Sequence, residues 1–163
     1  MLLILFLSVF LVFKEVTAGY PYVNKTKLYL HSALHVSNLN ESCLRCLCHV
    51  AGCDLGHSCT DGYCGPFYIS RVYWVDAGKP TLPEDSPERK EAYEDCARDF
   101  YCSMKIVEGY MAKFGKDCNE DGVTDCFDYM MINHHGSTCS EPLHLTPLGR
   151  RRLRLFQQCR LTN

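Results

Sequence analysis

All twelve cysteines of this 163-residue chain lie between Cys43 and Cys159. An even number at that density marks a fold held by disulfides in an oxidising compartment. They stand at Cys43, Cys46, Cys48, Cys53, Cys59, Cys64, Cys96, Cys102, Cys118, Cys126, Cys139 and Cys159. Spacing alone leaves their pairing open. The trio at 43, 46 and 48 also has a metal-like spacing. The segment in front of it argues the other way, so no metal and no cofactor is expected.

That segment runs Leu2 to Phe13 without a charged residue, then Lys14, Glu15 and the small run Thr17-Ala18-Gly19. It falls short of the roughly 20 residues that span a bilayer, and it resembles a secretory signal peptide over residues 1–19. A buried N-terminal helix is the alternative. No other long apolar run follows, which predicts a secreted chain without membrane insertion. The sequons Asn24-Lys25-Thr26 and Asn40-Glu41-Ser42 fit the same route. Both lie in the cysteine-free stretch 20–42, read as an extended arm with a short helix near its end or as a segment packed on the domain.

Residues 43–159 have the length of one domain with a real core. A net charge of −2 excludes the broad basic balance of a nucleic-acid binder. The local exception, Arg150-Arg151-Arg152-Leu153-Arg154, reads as a solvated helix face with Leu148, Leu153, Leu155 and Phe156 turned inward. The alternative is a patch for anionic bacterial surfaces.

Leu44, Leu47 and Val50 suit a short helix that Gly52 breaks. Cys64 to Ile69 and Val72 to Val75 have strand-like content, or that of a strand feeding a helix. Ala77 to Pro87 is a loop. A long helix is predicted over 87–114, capped by Ser86, opened by Pro87 and ended by Gly115, with a break near Phe100. Its buried stripe is Tyr93, Ala97, Phe100, Met104, Val107 and Met111. A further helix is expected from a Thr124 cap to Gly136, and a last one over 148–158. The class is α+β, mainly helical with a small antiparallel sheet and rich in disulfides.

Cys-Leu-x-Cys-Leu-Cys at 43–48, Gly52-Cys53, Cys64-Gly65-Pro66-Phe67-Tyr68-Ile69, Tyr73-Trp74-Val75-Asp76, Asp95-Cys96-Ala97, Tyr101-Cys102-Ser103 and Asn133-His134-His135-Gly136 together resemble the invertebrate-type lysozymes, or destabilases. The resemblance spans residues 43–159. It implies a lysozyme-like fold with a cleft between helices and sheet, and bacterial peptidoglycan as partner and substrate, cut between N-acetylmuramic acid and N-acetylglucosamine.

Hydrolysis of that bond normally needs a protonated and an ionised carboxyl group. The family's acid, a Glu before the fourth cysteine, falls here on Val50 or Ala51, neither of which donates a proton. The second carboxylate matches Asp61, with a bland reading as an exposed turn residue; Asp54 and Asp76 are alternatives, and nothing places Glu41 in the cleft. Tyr68, Tyr73, His134 and His135 are the candidate substrate contacts, with Tyr63 and Trp74 as further apolar platforms, against core packing for most of the aromatics and a helix-terminal cationic pair for the histidines. His49 stands beside the missing acid as a weaker proton source. Cysteines usual in the family are replaced by Ala77 and Ile106, a paired loss that suggests one absent bridge. Three functions compete: a muramidase, a degenerate lysozyme-fold protein that binds cell-wall glycan, and a destabilase-type isopeptidase using Ser58, Ser70 or Ser137.

Overall fold

The computed structural model describes residues 36–53, 59–139 and 141–162. The signal segment, Asn24, Asp54 and Ser58 lie outside the described residues.

Helix α1 (Glu41–Ala51) carries Cys43, Leu44, Cys46, Leu47, Cys48 and Val50 on its buried face. Asn40 caps its start, Oδ1 accepting from Cys43 N at 2.9 Å. Gly52 ends it at φ 109°, the left-handed position that glycine fills without penalty. The stretch just before α1 is docked on the domain, because Asn38 Nδ2 donates to Thr124 O at 2.8 Å and the Tyr129 hydroxyl to Ser37 O. The packed unit therefore begins before Cys43.

Three two-residue strands, β1 (Cys59–Thr60), β2 (Tyr63–Cys64) and β3 (Ile69–Ser70), form an antiparallel sheet in chain order, with Tyr63 opposite Ser70 and Cys64 opposite Ile69. The sheet leans directly on the helices. A Cβ at Gly65 would stand 1.8 Å from Ala97 O, so only glycine allows this approach. Ser70 then caps α2 (Arg71–Asp76) by accepting from Tyr73 N. Of the two readings of this stretch, a strand feeding a helix is the one observed.

The long helix expected over 87–114 is two helices, α3 (Ala92–Arg98) and α4 (Phe100–Phe114). Asp99 makes the break: its backbone is extended and its side chain caps α4 through Cys102 N at 2.8 Å. Ser86 and Pro87 do not start a helix. Ser86 Oγ accepts from Glu88 N in a local turn, and Arg89 gathers Asp85, Glu91 and Asp95 around it. Competition from these side-chain bonds delays the helix to Ala92.

Helix α5 (Cys126–His135) is capped by Asp125 rather than Thr124, in a reciprocal box with Asp128. Asp128 is fully buried yet satisfied, accepting from the amides of Cys118 and Asp125. Helix α6 (Pro147–Thr162) follows a short 3-10 turn, Leu143–Leu145, and outruns its expected limits. Leu148 is 49% exposed, contrary to expectation, whereas Phe156 is buried and Leu153 and Leu155 pack against the core.

The core gathers Leu47, Phe67, Ile69, Ile106, Val107, Met111, Tyr129, Met130 and Ile132. All twelve cysteines are paired, as Cys43–Cys126, Cys46–Cys159, Cys48–Cys53, Cys59–Cys64, Cys96–Cys102 and Cys118–Cys139. The first two fasten α1 to α5 and α6. A Cβ on Gly109 would meet Ala77 O at 2.5 Å, and Ile106 lies one helical turn away. Ala77, at the end of α2, thus packs directly on α4, in which Ile106 is fully buried. Among the described residues no helix is long and apolar enough to cross a membrane.

Candidate functional site

The residues expected to bear chemistry divide into a cluster and several outliers. Asp61 is an outlier. It sits exposed at the tip of the β1–β2 turn with φ 53°, which is its bland reading. Its neighbour Gly62 is tied inward, Gly62 O lying 3.2 Å from the Tyr93 hydroxyl, whose stronger bond goes to Ile69 O at 2.6 Å. Burial, with the Glu94 charge nearby, pushes the Tyr93 pKa up to about 12, so this strut stays a neutral donor.

The position of the missing acid is the C-terminal end of α1. His49 is exposed, Val50 is 7% exposed and packed in the core, and Ala51 is partly buried. None of the three is an acid. Burial raises the pKa of Glu108 against the pull of Lys105. However, Glu108 is two residues from Tyr110 on α4, roughly 200° around the helix, and so faces away from the Tyr73 ring on which Tyr110 stacks. Burial, and after it the Asp76 charge, raises the Tyr110 pKa, while the Asp76 carboxylate itself is engaged by Lys113 at 2.9 Å.

Tyr73 and Trp74 pack inward, on α4 and against the loop at Pro80. The Tyr73 ring stacks on Tyr110 at 3.7 Å, and its hydroxyl is buried without a partner. Desolvation, reinforced by Tyr110, holds the Tyr73 pKa well above the phenol range. Trp74 is buried, its Nε1 donating to Pro80 O at 2.7 Å. Helix α2 is short and packs on α4, which turns both rings inward.

Tyr68, His134 and His135 do come together, and Tyr63 and Arg152 complete the group. Tyr63 and Tyr68 stack within 4° of parallel at 4.6 Å, 41% and 40% exposed. Arg152, from α6, donates from Nη1 to His134 Nδ1 at 2.7 Å. Burial lowers the Arg152 pKa while the hydroxyls of Tyr63 and Tyr68 act the other way, so the guanidinium is within electrostatic reach of the tyrosine pair. His134 falls to about 4, first through desolvation, then through the charge of Arg152 and His135. It is a neutral acceptor at neutral pH. The His135 ring lies 4.4 Å from His134, with Nε2 buried and unpartnered.

Arg152 was hidden in the sequence by its four-arginine run. The signal was the stripe Gly149, Arg152, Phe156 and Cys159 at helical spacing. Three members of this stripe are buried, and it places Arg152 inward while Arg151 and Arg154 face solvent.

A small sheet thus packs beside the helices, and an aromatic and polar cluster links the β2–β3 hairpin, α5 and α6. The destabilase family model matches residues 40–155. A lysozyme of Ostrea edulis is 30% identical over 66% of this chain and 75% of its own length, and one of Magallana gigas is 30% identical over 65% and 73%. An invertebrate-type lysozyme of Ruditapes philippinarum is 32% identical over 47% of the chain and 53% of its own length. The crystal structure of Tapes japonica lysozyme superposes with TM-score 0.52 at 24% identity, covering 73% of this chain and 89% of that one. Meretrix lusoria lysozyme, in complex with Aeromonas hydrophila PliI, superposes with TM-score 0.53 at 23% identity over 69% and 87%. The chain belongs to the destabilase family, the invertebrate-type lysozymes.

Proposed function

We propose that this is a secreted, peptidoglycan-directed member of the family in which glycosidic hydrolysis is weak or lost while glycan binding is retained. One observation carries the reading: the end of α1, where the family's general acid is expected, presents His49, Val50, Ala51 and Gly52. Positioned proton donation is worth roughly a hundred- to ten-thousand-fold in rate, so its loss leaves a severely slowed enzyme. Asp61 at an exposed turn supports the same direction, because a solvated carboxylate stabilises a developing cation poorly. Secretion is supported by the apolar leader and by six disulfides. Glycosylation at Asn24 and Asn40 belongs to the same reading; at Asn40 the cap uses Oδ1, which leaves Nδ2 as the atom for sugar attachment.

The isopeptidase alternative finds less support. Ser70 caps α2, Ser137 lies against the Tyr110 hydroxyl, and His134 is bonded to Arg152 through Nδ1. Clearing of a Gram-positive cell-wall suspension, run beside pull-down on insoluble peptidoglycan, tests the proposal. Capture without released reducing ends is the expected result. Brisk muropeptide release by the unaltered chain defeats it.

A further inference from the structure

Arg152 is a cation without a counter-charge. Moving a guanidinium partly out of water is costly unless it is paired, yet none of the eight ion pairs among the described residues includes it. Its hydrogen bond goes to His134 Nδ1. Arginine only donates, so Nδ1 accepts and the His134 proton sits on Nε2. His134 therefore orients the guanidinium without neutralising it. The rest of the five-donor fork is left for a planar anion.

The surroundings point to what kind of anion. The tyrosine pair within electrostatic reach of Arg152 is stacked and about 40% exposed, and so offers an open flat surface. Next to His134, the His135 ring lies 4.4 Å away with its Nε2 buried and unpartnered. An aromatic face for a sugar ring and a fork for a carboxylate meet at one place, contributed by three separate elements.

We infer that Arg152, set by His134 and flanked by Tyr63 and Tyr68, binds a carboxylate carried by the glycan, namely a lactyl or stem-peptide carboxylate of peptidoglycan. This rests on the reading of the cluster as glycan-binding and extends it by naming the anchoring group. Bidentate guanidinium–carboxylate contacts are strong and geometrically selective. They give the protein a hold on acidic glycan that needs no catalytic acid.

The test is calorimetric titration of the intact, disulfide-bonded chain with a muropeptide in free-acid form, the same muropeptide amidated, a neutral N-acetylglucosamine oligomer and an oligogalacturonate. The free acid should bind about 10- to 100-fold more tightly than the amide, and added salt should shrink that gap. Arg152→Gln should abolish the gap; Arg152→Lys should keep part of it. Should Arg152→Gln fail to fold, the Arg152→Lys and His134→Gln variants carry the comparison, both expected to lose part of the gap. Equal binding of acid and amide by the native chain, or an unchanged gap in a folded Arg152 variant, overturns the inference while leaving peptidoglycan binding intact. Tighter binding of oligogalacturonate overturns peptidoglycan as the source of the carboxylate. If neither muropeptide nor neutral oligomer binds, the reading of the cluster as a peptidoglycan site falls, and this inference with it.

Discussion

Lowering the pH from 7 to 4 should destabilise the native chain through His134, and the sign follows from its surroundings. Desolvation, Arg152 and His135 hold its folded pKa at about 4, against 6.5 when unfolded. Above 6.5 both states are neutral there, and the Arg152–His134 bond is fully present. Between 6.5 and 4 the unfolded chain takes up a proton that the folded chain refuses, so stability is lost as pH falls through that window. At about 1.4 kcal/mol for each tenfold change in proton affinity, the ceiling is about 3.4 kcal/mol. The ring is only partly buried, and solvent screening reduces this to about 1 kcal/mol. For a domain of this size that is about 4 °C in melting temperature. The assay is thermal melting of the native chain and of His134→Gln across the window. Glutamine still offers Arg152 an oxygen but does not titrate, so the difference between the two curves removes contributions such as the raised Glu108. A gap of about 4 °C should open between pH 7 and 4. Curves that stay parallel would refute the neutral, acceptor assignment of His134.

Replacing Ala51 with Glu should raise muropeptide release by roughly a hundred-fold or more, since the negative end of α1 favours a protonated carboxyl there; turbidity clearing reads it, and no gain would mean that more than the acid is missing. Changing both Cys46 and Cys159 to Ala opens a bridge across 113 residues and should cost about 4 kcal/mol, seen as a large drop in denaturant midpoint. Asn40→Ala should lose about 1 kcal/mol with the cap of α1, whereas Ser42→Ala should remove any glycan at Asn40 and leave that cap in place. Comparing the melting of the two unglycosylated proteins separates cap from sugar.

Much of the fold was legible because it rests on local rules. The periodic apolar positions of α1 and α4 report directly on burial, and the cysteine pattern carried the family. The failures arose where side chains compete with the backbone: Arg89 and its carboxylates displaced the start predicted at Pro87, and Asp99 and Asp125 took capping roles that sequence assigned elsewhere or left open. Of the candidate contacts, the two histidines gather at Arg152 with Tyr68 in electrostatic reach, whereas Tyr73 packs elsewhere, a difference hidden in the sequence because an aromatic on a short helix can face either way. Arg152 was obscured for the opposite reason. Its charge suggested solvent, and only the helical register of its buried neighbours places it inward.

The two long bridges bear on how this molecule meets proteases. Cleavage at any single bond between residues 47 and 125 leaves Cys43 and Cys46 on one fragment and Cys126 and Cys159 on the other. A nick in the proline-containing loop after Ala77 would therefore produce two pieces that stay doubly tethered and migrate as one until a thiol is added. Where digestive enzymes are abundant, the protein could be cut once and still hold its tyrosine pair against α6.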